Sequence, residues 1–230
     1  MRKNQLTRPS VANVDVAIIT VAQVPQPDFI LIDKIIINCI LQGISPIIVM
    51  NKSDINSKEF ILRVKTEYCS CIKRILSVSA LKRSKLGKLE KVLKNNTAVF
   101  CGQSAVGKTS LLNVVTGLNE KIGSLSEKVD RGKHTTRHTE IFKFKRNSFV
   151  VDTPGFSMLE LEKVSSQELY GYYPEMIKLQ SQCSFSNCTH TSEPNCAIKE
   201  AVDKKALSKG RYERYKLIFN EQAAKEKSKY

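Results

Sequence analysis

The chain has 230 residues, 41% of them apolar, which is enough to enclose a core and too many for a disordered tail. Lys and Arg number 37 against 22 Asp and Glu, a formal charge of +15 that favours a polyanionic partner such as nucleic acid. The start, MRKNQLTRPS, has no apolar run behind its basic residues and is not a signal peptide, and FILIDKIIINCIL is broken by Asp33 and Lys34 and too short to span a bilayer, so a cytoplasmic protein with no membrane partner is expected.

Residues 14–24, VDVAIITVAQV, are apolar and β-branched and predict a buried strand. A helix is expected over 27–43, opened by Pro27 and Asp28 and closed by Gly43. Residues 47–50 read as a second strand, running into Asn51-Lys52-Ser53-Asp54. Then come a helix at 59–68, a strand at 74–80, a short basic helix at 86–93 and a strand at 97–101. Another helix starts near Lys108, and residues 140–152 predict an antiparallel pair. This alternation implies an α/β sheet with helices on both faces. After Leu161 the pattern changes to polar helix, Cys/His cluster and basic helix. Two domains are therefore expected, 1–162 and a smaller, mostly helical 163–230. The basic excess is concentrated between Arg63 and Lys94 and again after Lys199.

Gly102-Gln103-Ser104-Ala105-Val106-Gly107-Lys108-Thr109, followed by Ser110, fits the phosphate-loop pattern G-x-x-x-x-G-K-[ST] between a strand and a helix. Its glycines let backbone N–H groups curl around phosphate oxygens at the positive end of a helix. Lys108 is placed to reach the β- and γ-phosphates, and the Thr109 hydroxyl to bind magnesium. Asp152-Thr153-Pro154-Gly155 ends a later strand. There Asp152 can hold the magnesium through water, and the Gly155 N–H can meet a γ-phosphate.

The stretch Asn51-Lys52-Ser53-Asp54 suits guanine. A carboxylate at 54 accepts from N1–H and the 2-amino group together, and adenine offers neither donor. Asn51 supports the loop and the base edge, and the Lys52 stem covers the ring. Ser79-Ala80, after another strand, supplies a backbone contact to guanine O6. In this chain the base loop precedes the phosphate loop, so these elements resemble a Ras-like GTPase in circularly permuted order. The old ends are joined through the helix at 86–93, and the site survives because it is spatial rather than sequential.

Cys183, Cys188, His190 and Cys196 give three thiolates and one imidazole within fourteen residues. That is a closed tetrahedral set of the kind that holds structural zinc; the alternative is disulfides or free thiols. Cys39, Cys69, Cys71 and Cys101 read as ordinary thiols.

The permuted order, RPSVANVD at 8–15, GKHTTRH at 132–138 and the Cys/His cluster together resemble the ribosome small-subunit-dependent GTPase A (RsgA) family over essentially the whole chain. The resemblance implies a cytoplasmic GTPase acting late in maturation of the small ribosomal subunit. Its implied ligands are GTP and GDP with magnesium and one structural zinc, and its implied partners the small subunit and its rRNA; a monomer is expected. Members usually begin with an RNA-binding OB-fold domain, and this chain starts where that domain would end. The resemblance places switch I at 130–139, with Thr135 or Thr136 facing magnesium. Phe156 stands where many Ras-like proteins carry the glutamine that orients water. His134 is the candidate replacement and His138 the second choice. The basic stretch KKALSKGRYERYK can lie on rRNA phosphates, with Tyr212 and Tyr215 available to stack; the alternative is a solvated helix that carries its charges in water and buries its few apolar residues. The alternative function is an RNA-binding module that uses GTP as a structural ligand with negligible turnover.

Overall fold

The computed structural model describes residues 13–117, 140–152, 161 and 164–228, with Glu140 and Asp152 described by their backbone alone. Six strands form one sheet: β1 (Val16–Val21), β2 (Ser45–Met50), β3 (Ile75–Ser77), β4 (Thr97–Cys101), β5 (Glu140–Lys145) and β6 (Ser148–Asp152). Their spatial order is β3-β2-β1-β4-β6-β5, parallel except where β5 runs antiparallel to β6.

Side chains on a strand alternate between faces, and β1 shows the consequence. Ala17, Ile19 and Val21 join one core with α1 (Phe29–Leu41) and α2 (Lys58–Tyr68). Val16 and Ile18 join a second core with α3 (Gly87–Leu93) and α4 (Lys108–Thr116). All six β1 residues are buried, as its unbroken apolar run requires of a central strand covered on both sides. The Asp28 side chain caps α1 by accepting from the Leu31 N–H at 2.9 Å, and Ser57 does the same for α2.

The expected strand at 74–80 is shorter than its sequence suggests. Ser79 and Ser84 exchange backbone hydrogen bonds in a local bridge, so the chain leaves the sheet after Ser77. The strand expected at 14–24 is likewise trimmed to Val16–Val21. The other expected elements of the sheet unit, β2 and α1 included, stand within two residues of their predicted bounds.

Beyond Leu161 the described chain has a 3₁₀ turn (Leu169–Tyr172), α5 (Pro174–Gln180), α6 (Ala197–Asp203) and the long α7 (Lys209–Lys227). A third core, rich in tyrosine, gathers these elements around Tyr173 and Tyr215 and includes Ile37 of α1. The helical unit therefore shares a packed boundary with the sheet.

A buried ion cluster crosses that boundary. Arg211 and Arg214, one turn apart on α7, reach the two Asp33 carboxylate oxygens, each at 2.6 Å. Arg214 also pairs with Glu67 of α2 at 2.7 Å, and Arg211 pairs with Glu175 of α5. The Tyr68 hydroxyl donates to Asp33 at 2.8 Å. Three carboxyl groups and two guanidiniums from four helices thus pair with one another out of water, the condition under which burying such groups is tolerable.

Candidate functional site

The parallel strands send their carboxyl ends to one edge of the sheet, where open α/β sheets bind ligands. β4 runs straight into the loop 102–107, and α4 begins at Lys108. Two glycines of that loop are required by geometry. Gly102 has φ +125, and a Cβ there would lie 2.3 Å from the Thr20 carbonyl oxygen. Gly107 has φ +91, and its Cβ would lie 2.4 Å from Asn51 Nδ2. The phosphate loop is thus pressed against β1 at one end and the base loop at the other.

Asn51 is the meeting point of three loops that lie far apart in the chain, and it is only 2% exposed. Its Nδ2 donates to the Val106 carbonyl at 3.0 Å, and its Oδ1 accepts from the Ala80 N–H at 3.1 Å. Lys52 lies in the left-handed region and stretches its ammonium over to the carbonyls of Val24 and Ala105, at 2.8 and 2.9 Å. Ser53 N–H donates to the Val78 carbonyl at the end of the β3 segment. Base loop, Ser-Ala loop and phosphate loop form one connected rim.

Asp54 stands exposed on that rim. A hydrogen bond from the Ser79 side chain, aided by backbone N–H and by Lys82 and Lys52, holds its carboxyl below the usual carboxylate range. It is an ionised acceptor at neutral pH. Lys108 lies across the loop and donates to the carbonyls of Gly102 and Gln103 at 2.8 and 2.7 Å. Ser104, Ala105, Thr109 and Ser110 are exposed around it, whereas Val106 points into the core. The Gln103 side chain accepts from the Asp28 N–H, tying the loop to the start of α1.

Asp152 ends β6, whose Val151 is in register with Val99 of β4, so its backbone reaches the same edge as the phosphate loop. Thr135, Thr136, His134, His138, Gly155 and Phe156 lie outside the described residues.

The Cys/His cluster is a separate site. The ligand atoms of Cys183, Cys188, His190 and Cys196 all lie within 4.8 Å of one another. Cys183 Sγ is 3.9 Å from Cys196 Sγ, and His190 Nδ1 is 3.4 and 3.7 Å from the sulfurs of Cys196 and Cys183. A tetrahedral ion with bonds of about 2.3 Å to sulfur and 2.0 Å to nitrogen has ligand–ligand edges of about 3.5–3.8 Å. The donor set fits a metal ion, with Nδ1 as the imidazole ligand. His190 is fully buried, and burial keeps its ring neutral by pushing its pKa down, which suits ligation.

Glu193 fastens the loop that carries His190, accepting from the Thr189 N–H and hydroxyl at 2.8 and 2.6 Å and from the Thr191 N–H at 3.0 Å. Burial raises the Glu193 pKa, but these bonds outweigh it and hold the carboxyl at about 2. The tyrosines expected to stack on RNA do other work. Tyr212 and Tyr215 are 6% and 0% exposed, and their hydroxyls donate to the carbonyls of His190 and Thr189 at 2.7 and 2.6 Å. Arg211 and Arg214, from the same basic stretch, are the buried arginines of the ion cluster. This face of α7 supports the metal loop and the joint. Cys39 and Cys101 are core thiols, as expected, while Cys69 is exposed and Cys71 half-buried.

Sequence reasoning missed Asp33, treating it only as an interruption of an apolar helix. Phe29, Ile32, Asp33 and Ile36 share a helix face, and a lone carboxylate among buried apolar residues signals a hidden cationic partner. Among the described residues no helix is long and apolar enough to cross a membrane.

Comparison with known proteins agrees with this geometry. The family model described as RsgA GTPase matches residues 1–162. The "Small ribosomal subunit biogenesis GTPase RsgA" of Caldanaerobacter subterraneus subsp. tengcongensis is 38% identical over 231 residues, covering 100% of this chain and 78% of that protein. The protein of the same name from Ruminiclostridium cellulolyticum is also 38% identical, over 93% of this chain and 70% of its own length. The crystal structure of YjeQ from Thermotoga maritima superimposes with a TM-score of 0.77 at 32% identity, covering 97% of this chain and 76% of the other. That of YloQ, described as a circularly permuted GTPase, gives 0.75 at 27% identity over 93% and 69%. With its base loop ahead of its phosphate loop and both meeting at Asn51, this chain belongs to the RsgA GTPase family.

Proposed function

We propose that this GTPase hydrolyses GTP in the service of small ribosomal subunit maturation, working in the cytoplasm as a monomer on the subunit's rRNA. The observation that carries the nucleotide reading is the Asn51 junction, which joins a guanine-reading loop to a phosphate loop through a direct hydrogen bond. The ribosomal part rests on relatives named for small-subunit biogenesis and on the +15 charge.

In this reading residues 1–162 are the GTPase domain and 163–230 the metal-binding domain. The Asp54 carboxylate accepts from guanine N1–H and the 2-amino group, and Lys52 covers the ring. The Ser79-Ala80 backbone supplies the contact to guanine O6, next to the bond by which the Ala80 N–H holds Asn51. The 102–107 backbone and Lys108 hold the β- and γ-phosphates; Lys108 exchanges its two loop carbonyls for phosphate oxygens. Thr109, and Asp152 through water, would hold magnesium, which would supply positive charge to the phosphates. Thr135 or Thr136 completes that shell, Gly155 N–H meets the γ-phosphate, and His134 orients the attacking water. Water oxygen bonds to the γ-phosphorus, the bond to the β–γ bridging oxygen breaks with its electron pair going to GDP, the water gives up its proton to a phosphate oxygen or solvent, and GDP and inorganic phosphate leave. Cys183, Cys188, His190 and Cys196 hold a structural zinc that fixes the fold of the second domain. The grip of α7 on the segment after Gly155 supports coupling between the sites. Gln222 donates to the Val164 carbonyl at 2.7 Å, and Glu226 accepts from Ser166.

The test is GTP turnover with and without purified small ribosomal subunits. Slow intrinsic turnover accelerated by subunits is expected, and turnover by His134→Ala should lose that acceleration. Intrinsic and stimulated rates of such enzymes differ by up to ~10⁵-fold. Turnover indistinguishable from buffer in both conditions would favour the non-hydrolytic RNA-binding alternative. Metal analysis should find one zinc per chain, reduced in Cys188→Ser.

A further inference from the structure

β3 is one of the two edge strands among the described residues, and beside it lies an open groove of about 690 Å³ that neither the nucleotide nor the metal site uses. Its floor is apolar, with Ile75 and Leu76 of β3, and its walls carry Lys65 from α2, Lys85 from the loop before α3, and Lys88 and Lys91 from α3. Among the described residues no acidic or aromatic side chain lines it. Lys88 and Lys91 are three residues apart on one helix and share a face.

All four lysines are exposed, and none is ion-paired among the described residues. The surrounding stretch, from Arg63 to Lys94, carries ten Lys and Arg against two Glu. Both glutamates are already engaged, Glu67 with Arg63 and Arg214, and Glu90 with Lys145. Among the described residues nothing local neutralises the groove. Lysine on an edge strand often serves only to repel other sheets. Here β3 itself, Ile75-Leu76-Ser77, carries no charge, and the lysines converge from two helices and a loop onto a concavity.

The geometry points to this groove as a binding site for the phosphodiester backbone of RNA, recognised by charge and not by base. With lysines and no aromatic platform among its lining residues, the groove offers contacts to phosphates rather than a surface on which bases stack. This deepens the ribosomal reading above and rests on it for the identity of the polyanion.

The experiment uses the full chain loaded with GDP and a fluorescein-labelled, mixed-sequence single-stranded RNA, followed by anisotropy at 50 and 200 mM salt. Four phosphate contacts at about −0.7 each give a log–log slope near −3, about a 50-fold weakening over that range. The variant Lys65→Gln/Lys85→Gln/Lys88→Gln/Lys91→Gln should lose at least about tenfold affinity at the lower salt and most of the slope. A tail variant, Lys178→Gln/Lys205→Gln/Lys209→Gln, should bind like the unmutated chain. Equal GDP affinity and thermal midpoint show that the variants are folded. Three results each overturn the proposal: no RNA binding by the unmutated chain, an unchanged groove variant beside a defective tail variant, or tighter binding to phosphatidylglycerol vesicles than to RNA. Turnover with small subunits on the same proteins separates the two readings. Groove-dependent RNA binding without subunit stimulation removes the ribosomal role alone, and stimulation with groove-independent RNA binding removes the groove alone.

Discussion

Asp33, in the joint between sheet and helical unit, has no exposed surface, whereas Asp54, on the nucleotide rim, stands in water. Asp33 has its oxygens taken up by Arg211, Arg214 and Tyr68. Asp54 is steadied by Ser79 and two distant lysines and still faces outward. A carboxylate whose hydrogen bonds are completed inside the protein has nothing to offer a ligand and acts on stability. One that is oriented but incompletely satisfied is ready to recognise. The same contrast separates the two arginines of α7, buried in pairs, from the lysines of the β3 groove.

The largest effect should come from breaking the joint. Asp33→Ala leaves two guanidiniums with fewer partners inside the protein and should cost about 3–5 kcal/mol. For a domain of this size that corresponds to a fall of roughly 10 °C in thermal midpoint, with GDP affinity little changed just below the transition. An unaltered midpoint would mean that the joint is not the stabilising contact described here.

Gly107→Ala should act next, and in the opposite region. It forces a side chain into the left-handed region and a Cβ onto Asn51 Nδ2 at 2.4 Å, separating the base loop from the phosphate loop. Strain of about 1–2 kcal/mol corresponds to about tenfold weaker GDP binding, readable by titration calorimetry, with the thermal midpoint of the nucleotide-free protein less affected than in Asp33→Ala.

Glu193→Gln should be the mildest. It weakens the charge-assisted bonds to Thr189 and Thr191 and should speed metal loss to a chelator by about tenfold. The sign with pH follows from the depressed carboxyl. Its contribution is fully present above the ordinary value of 4.5 and is lost as pH falls through about 2, so the difference between variant and unmutated protein should shrink below pH 4.5.

The sequence made the sheet and the nucleotide rim legible because both are written locally. Strand and helix periods, caps at Asp28 and Gly43, and the spacing from Gly102 to Thr109 are all near-neighbour signals. The metal cluster was legible for the same reason, since its four ligands lie between Cys183 and Cys196. The pairing of Asp33 with Arg211 was hidden, because 178 residues separate the partners and each looks alone like a surface charge. The same blindness turned Tyr212 and Tyr215 into apparent RNA-stacking residues. Their helix has charged and apolar positions interleaved, and only the packed structure tells which tyrosines point inward. Asn51 was expected to support its loop and the base edge; that its support reaches Val106 across 55 residues became visible only in three dimensions.

The central claim, that a permuted chain assembles one guanine site at the Asn51 junction, is tested most directly by competition against labelled GDP. Unlabelled GTP should displace it from the unmutated chain, and ATP should fail to do so even at roughly thousandfold excess. In Asp54→Asn the preference should pass from guanine to xanthine nucleotides, because the 2-position then presents an acceptor to an amide donor. Equal displacement by ATP and GTP, or an Asp54→Asn protein that keeps its guanine preference, would contradict the account.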